Sequence, residues 1–225
     1  MNNTGWSMVI VALIVGVGLG YMVWGGSGSS STSATATSTV SSVMSPEKEV
    51  ALYTAMQKLW SDHVFWTREY ITTFAAGDTG PATAAANRLM KNQEDIGAAV
   101  AQFYGNDAGS KLTDLLKQHI SIAVELLNAA KKNDMAKFND ANTRWKTNGD
   151  DIATFLSQAN PNWPVATLKE MMAMHLQTTT DEATAALKGD SAGSIVAFDK
   201  VFDHINKMAD ALSAGIIAQF PDKFK

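Results

Sequence analysis

The sequence predicts an all-α protein in which three tandem αα-hairpin repeats of 56 residues form a six-helix bundle, preceded by one transmembrane helix. The first observation is a gap-free repeat, the second is the helical spacing of apolar residues inside it, and the third is an uncharged apolar N-terminus. The aligned columns include His63, His119 and His175; Glu69, Glu125 and Asp181; Gly77, Asn133 and Gly189; Arg88, Arg144 and Lys200; and Asn92, Asn148 and His204.

The N-terminal residues 1–24 are predicted to be a membrane anchor. Residues 7–24 carry no charge, and 18 residues at about 1.5 Å each span roughly 27 Å, close to a bilayer core. Trp6 at one end and Tyr21 and Trp24 at the other are typical of an interfacial aromatic belt. A cleaved signal peptide is the alternative, but residues 1–5 contain no Lys or Arg, and no small-x-small site directly follows the apolar run.

The sequence indicates less strongly on which side of the membrane the helical domain lies. The first lysine is Lys48, so the positive-inside rule has little to act on. Because short N-terminal anchors commonly lead export, we expect a single-pass protein of the cell membrane with its helical domain on the extracytoplasmic side. Residues 25–45 are Gly, Ser, Thr, Ala, Val and Met, which predicts a flexible linker of about 25 Å root-mean-square span.

The helical-repeat domain is predicted to occupy residues 46–225, with units at about 52–107, 108–163 and 164–219. Ser45 is a candidate N-cap, and Pro46 suits the first helical position. Apolar residues then recur every three or four positions, as in an amphipathic helix, and Pro161 and Pro164 interrupt the pattern between units. The pattern predicts helices at about 46–76, 82–104, 109–131, 134–159, 165–188 and 191–219.

Hairpin geometry predicts which polar residues face each other. His63 lies 15 residues before Asp78 and Asn92 lies 14 after it, so both stand at nearly the same height in antiparallel helices. The same counting predicts that every unit has two such pairs of facing polar residues, which we call cross-helix rungs. The expected pairs are His63–Asn92, His119–Asn148 and His175–His204, and Glu69–Arg88, Glu125–Arg144 and Asp181–Lys200.

Three short motifs resemble a family of small bacterial envelope-associated helical proteins. They are the runs HVFWTR at 63–68, QEDIG at 93–97 and QFPDKF at 219–224. The likeness covers most of residues 52–224. This uncharacterised family has no known activity, so the resemblance implies a helical fold and no chemistry.

Composition removes several classes of function. The chain has no cysteine, which excludes disulfides, thiol catalysis and Cys-ligated zinc. A net charge of −4 without clustered Lys and Arg argues against a nucleic-acid surface. We find no Gly-rich phosphate loop and no motif that pairs a nucleophile with a base, so an enzyme has no positive support.

The histidines leave two interpretations open. In the first, each histidine is a buried polar group that an Asn or His partner satisfies, as buried polar groups require. In the second, three imidazoles converge on one axis and bind zinc or copper. Three methionines near His175 favour copper in that case, and Glu182 lies on the same helix face seven residues later. The candidate metal ligands are His63, His119, His175, His204 and Glu182.

We therefore expect a membrane-anchored extracytoplasmic helical bundle with a structural or interaction role and an unknown protein partner. The alternative is a metal-binding bundle that holds a divalent or copper ion in its histidine layer.

Overall fold

The computed structural model describes residues 45–225, so the predicted anchor at 1–24 and nearly all of the linker at 25–45 lie outside the described residues. Within 45–225 the chain is all-helical, as predicted. No helix in this range has both the length and the apolar composition that crossing a membrane requires. The elements are α1 (Pro46–Ala76), α2 (Thr79–Tyr104), α3 (Asn106–Lys131), α4 (Met135–Ala159), α5 (Val165–Leu187), α6 (Ser191–Gln219) and a final 3₁₀ turn (Pro221–Phe224).

The six helices form a closed ring. Each helix packs against its neighbour in sequence, and α6 returns to pack against α1. Helix α1 also contacts α5 directly. The first helices of the three units, α1, α3 and α5, supply most of the residues around a cavity inside the ring, while α2 and α4 supply one each. The repeat therefore places three equivalent helix faces around one interior space.

The three hairpin turns have the same backbone geometry. Gly77, Asn133 and Gly189 adopt φ angles of 89°, 55° and 73°, in the left-handed region that favours Gly and Asn. In each turn the next residue is an Asp at the N-cap of the second helix, and its backbone N–H donates to the carbonyl oxygen five residues earlier. The Gly-Asp and Asn-Asp pairs thus form the same type of turn in all three units.

Two helices start earlier than the sequence predicts. Helix α2 begins at Thr79 rather than 82, because Pro81 occupies the first turn, where its missing N–H has no helical partner to lose. Helix α3 begins at Asn106 rather than 109. Ser45 stands at the predicted N-cap of α1, but its side chain makes no capping bond. Its backbone N–H donates to Phe224 O, which ties the start of the domain to its end.

The main core runs from the ring interior to an aromatic cluster at the end where the units join. Trp60, Ile96, Ile152 and Ile205 are among its buried members. At the joining end Phe103 stacks with Phe224 of the final turn at 6.1 Å between ring centroids. Tyr104 lies 5.7 Å from Trp163 and 5.3 Å from Phe220 on the same measure. This aromatic closure joins α2, the 162–164 segment and the C-terminus.

Candidate functional site

Three histidines meet inside the ring, as expected if the first helices face a common axis. The ring centroids of His63 and His175 are 5.6 Å apart, and those of His119 and His175 are 6.1 Å apart. All three side chains are buried. Trp60 lies edge-on to His63 at 5.9 Å, and Trp145 lies against His119 at 5.1 Å. The repeated histidine column is therefore one interior cluster.

The polar contact that is repeated in all three units involves the second helix and the backbone of the first. Asn92 Nδ2 donates to Leu59 O at 2.9 Å, and Asn148 Nδ2 donates to Leu115 O at 3.1 Å. In the third unit His204 Nε2 donates to Met171 O at 2.8 Å. The acceptor residues are also spaced by 56. His204 thus replaces Asn as a donor in the same interhelix bond.

The predicted His–Asn rung is present only in the second unit, where His119 Nδ1 donates to Asn148 Oδ1 at 2.7 Å. In the first unit the prediction is wrong, because His63 Nδ1 instead approaches Gln93 Nε2 at 3.3 Å. In the third unit His175 Nδ1 is buried without a hydrogen-bond partner. The reason is chemical, since His204 supplies the repeated donor but lacks the amide oxygen that accepts from His119 in the second unit.

Burial keeps this cluster neutral. Burial, together with the nearby His119, lowers the pKa of His63 from 6.5 to about 3. Burial lowers the pKa of His119 to about 4, although its bond to Asn148 raises it in part. The pKa of His175 is lowered well below 6.5 by burial and by the neighbouring imidazoles. At neutral pH the three rings are therefore uncharged.

A cavity of about 30 Å³ lies among the three rings and apolar side chains. This exceeds the roughly 10–15 Å³ that one water molecule needs. We call it the histidine chamber. Two further residues on its wall, Trp145 and Thr179, have side-chain polar atoms that are buried without a hydrogen-bond partner. The chamber wall is completed by residues such as Ile71, Leu89, Ile120, Leu127 and Ala183.

Glu182 lies outside the chamber wall and binds Arg68. The Arg68 Nη1 to Glu182 Oε1 distance is 2.8 Å, and Arg68 also donates to Ser194 O at 3.3 Å. The Glu182 side chain is fully buried, and its second oxygen has no partner. Burial raises the pKa of this carboxyl to about 7, with Arg68 opposing the rise. The carboxylate that we considered as a metal ligand is thus committed to an interhelix ion pair.

Only one of the three predicted acid–base rungs is present. Arg144 contacts Glu125, as expected. The Glu69–Arg88 prediction is wrong, because Arg88 is directed to Asp62 and Asp95, at 3.8 and 3.5 Å. Asp181 accepts from Gln177 one helical turn before it rather than from Lys200. When several acidic residues lie within reach of one long basic side chain, equal height in the hairpin does not determine which of them it contacts.

The remaining candidate ligands do not line the histidine chamber. His204 is half-buried and its Nε2 is used by Met171 O. Met172 is buried in the main core, whereas Met174 is 53% exposed, so the methionines do not gather around His175. Within residues 45–225 no group of three His, Asp or Glu side chains is placed so that it could hold a metal ion.

The sequence did not reveal the non-histidine part of the chamber. Trp145 was visible only as an apolar member of the repeat, and Thr179 as one residue of a Thr run. Comparisons with protein-family models, curated proteins and solved structures give no match to this chain. The geometry of the domain therefore carries the functional argument.

A substitution at His204 tests whether the missing amide oxygen is what leaves His175 Nδ1 without a hydrogen-bond partner. His204→Asn should keep the bond to Met171 O and add an amide oxygen for His175 Nδ1–H, as in the second unit. We expect it to raise the free energy of unfolding by about 1 kcal/mol, measured by urea denaturation. The control His204→Ala removes the donor and should lower it by about 1–2 kcal/mol. Equal destabilisation by both variants would show that the missing oxygen is not what leaves His175 unpaired.

Proposed function

We propose that the chain is a membrane-anchored interaction module whose helical domain is displayed on the extracytoplasmic side of the cell membrane. The observation that carries the proposal is an exposed aromatic patch where the third unit closes onto the first. Phe65 is 51% exposed, Phe202 is 40% exposed and Ile195 is 53% exposed. Together with Phe198 we call these residues the seam patch.

The register between α1 and α6 places Phe65 and Phe202 at the same level of the two helices. Gln57 Nε2 donates to Asp210 at 2.7 Å, and one turn later Ser61 donates to Asn206 at 3.2 Å. These pairs show that α1 and α6 are antiparallel. One further turn along both helices brings Phe65 opposite Phe202. The contact line between α1 and α6 thus changes from polar to aromatic as it approaches the hairpin turn of the first unit.

The chemistry of the seam patch suits a protein partner. The rings of Phe198 and Phe202 are 6.0 Å apart, and the Arg68 guanidinium lies 4.6 Å from the Phe198 centroid. Aromatic side chains and arginine are enriched at protein–protein interfaces. Contiguous exposed apolar surface on a soluble domain commonly marks an interaction site. The patch therefore supports binding to a partner with an apolar face.

The predicted anchor and linker fit this role. An uncharged segment at residues 7–24 followed by a flexible linker at 25–45 would hold the domain near the bilayer and let it turn. A tethered domain meets a membrane partner at a raised effective concentration. A modest affinity of the seam patch for its partner would then be sufficient for the two proteins to associate.

Photo-cross-linking in the cells that produce the chain tests the proposal. A benzoylphenylalanine residue at position 65 or 202 should give an adduct of discrete mass, because both positions lie in the seam patch. The matched control is position 135, where Met135 is 60% exposed but lies on α4, away from the seam.

The adduct from position 65 should disappear in a Phe202→Ser background that leaves the circular dichroism spectrum unchanged. An equally strong adduct from position 135 would contradict a specific interface. So would the absence of any discrete adduct from both seam positions.

A further inference from the structure

Resting on the proposed interaction role, we propose that the partner protein places an acidic side chain in a groove that continues from the seam patch to the hairpin-turn end of the domain. The groove lies between the ends of α1 and α5 and the start of α6, and its volume is about 470 Å³. Arg68 and Lys188 supply its positive charge, so we call it the basic groove. The partner segment would carry an aspartate or glutamate beside an aliphatic residue.

The basic groove and the seam patch form one continuous surface. Ile195, which is 53% exposed and belongs to the seam patch, also lines the groove. Arg68 lines the groove while its guanidinium contacts Phe198 of the seam patch. The apolar part of the groove wall includes Ala75 and Ala186, whose short side chains leave room for a side chain of the partner. A segment that binds the aromatic rings can therefore continue into the groove.

Arg68 is held in place by contacts that use only one of its side-chain nitrogen atoms. Nη1 donates to Glu182 Oε1 at 2.8 Å and to Ser194 O at 3.3 Å. Among residues 45–225, neither Nε nor Nη2 has a hydrogen-bond or ion-pair partner. These two atoms form the edge of a guanidinium that binds a carboxylate through two parallel hydrogen bonds. Because the side chain is 24% exposed and already fixed, a carboxylate can bind this edge at little cost in side-chain entropy.

The charges around the groove favour an acidic partner. Within the described part of the chain, no carboxylate lines the groove. Two acids of the neighbouring segments have other partners: Glu182 contacts Arg68, and Asp190 Oδ1 accepts from the Gly193 N–H at 2.8 Å, which caps α6. Lys188 is exposed and has no ion-pair partner in residues 45–225. The groove thus presents two cations to a partner, and such complementarity gives specificity and speeds association.

The position of the groove favours a protein segment over a lipid headgroup. Helix α1 has 31 residues, and at about 1.5 Å per residue its two ends are roughly 46 Å apart. The linker joins the domain before Pro46, whereas the groove includes Ala75 and Ala76 at the other end of the helix. The groove therefore lies at the end of the domain opposite to the one that the linker enters.

Cross-linking with charge variants tests the groove separately from the seam patch. Benzoylphenylalanine at position 191 should give the same adduct as position 65 in the cells that produce the chain, because Ser191 is exposed and lines the groove. Lys188→Glu should lower the yield of the position-65 adduct about fivefold, since it places a negative charge beside the acid of the partner. The matched control is Lys132→Glu, which should leave the yield unchanged. Lys132 follows α3 as Lys188 follows α5, and it does not line the groove.

A charge swap extends the test to the partner. Mass spectrometry of the position-191 adduct identifies the cross-linked segment. That segment should contain an Asp or Glu within about five residues of the cross-link, a reach of roughly 16 Å in an extended chain. Replacing this acid by Lys in the partner should restore the adduct with the Lys188→Glu chain.

The outcomes separate the groove from the seam interaction. A position-65 adduct of equal yield in the wild type and in Lys188→Glu overturns the groove and leaves the seam interaction in place. The groove is also overturned by an equal loss in Lys132→Glu, by a cross-linked segment without a nearby acid, by a charge swap that restores nothing, or by a position-191 adduct that contains lipid and no peptide. The absence of any discrete adduct from positions 65 and 202 overturns the interaction role and the groove together.

Discussion

Acidification from pH 6.5 to pH 4 is expected to unfold the metal-free helical domain cooperatively, with a midpoint near pH 5. The cause is the histidine cluster. His63, His119 and His175 have folded-state pKa values below 6.5, at about 3 for His63 and about 4 for His119. An unfolded chain would protonate the same three rings at about pH 6.5.

The direction of this pH effect follows from the number of protons that the folded and unfolded states bind. Between pH 6.5 and about 4 the unfolded state binds protons on these imidazoles and the folded state does not, so acid favours unfolding. The contribution is fully present above pH 6.5 and is lost as the pH falls toward the folded pKa values. Each ring contributes a slope of about 1.4 kcal/mol per pH unit, so three give roughly 4 kcal/mol per unit. That is enough to remove a typical domain stability of about 5–15 kcal/mol within a few units.

Urea denaturation of the full-length chain at several pH values measures the slope. Wild-type stability should fall steeply between pH 6 and 4.5. His119→Gln keeps a hydrogen-bonding group beside Asn148 but removes one titrating ring, so its slope should be lower by about 1.4 kcal/mol per pH unit. A wild-type slope near zero in this window would show that the rings are not buried as neutral groups.

Glu182 acts in the opposite direction. Its folded-state pKa is raised to about 7, so its contribution to stability is present below the unfolded value of 4.5 and is lost as the pH rises through 7. Arg68 is only partly buried and moderates the effect. The domain should therefore be most stable near pH 6–7, where the histidines are neutral and Glu182 is not fully ionised.

The repeat made most of the fold predictable from the sequence. A fixed period of 56 residues gave the number of hairpins, and the Gly-Asp and Asn-Asp pairs gave the turns that the structure shows at residues 77, 133 and 189. The convergence of His63, His119 and His175 was also expected, because equivalent positions on the three first helices converge if those helices face a common axis.

The partners of those residues were not predictable by counting along helices. His63 contacts Gln93 rather than its neighbour Asn92, because the Asn92 amide oxygen accepts from Gln93 Nε2 at 3.2 Å. The Arg68–Glu182 pair joins the first and third units across 114 residues, and no repeat column contains it. Both cases depend on packing between helices, which a sequence period does not specify. The sequence also did not predict the final 3₁₀ turn or its stacking on Phe103.

The segment between the second and third units contributes a buried tryptophan that packs directly on the backbone of α6. Trp163 is 3% exposed, and its Nε1 donates to Ala211 O at 3.3 Å. Gly215 lies one turn further along α6, and a Cβ atom there would lie 1.9 Å from Trp163 Nε1 and 2.5 Å from its Cδ1. Only a residue without a side chain allows the indole ring to occupy this position.

Gly215→Ala is therefore expected to lower the free energy of unfolding by about 3 kcal/mol or more, at or above the upper end of typical overpacking costs. The added methyl must displace the indole from the main core and break its bond to Ala211 O. The control Gly80→Ala lies in α2 with no atom within 4 Å of the new Cβ, and it should be neutral or stabilising by up to about 1 kcal/mol. Urea denaturation measures both changes. In a Trp163→Phe background the smaller ring should reduce the cost of Gly215→Ala, and equal costs in the two backgrounds would show that the indole contact is not responsible.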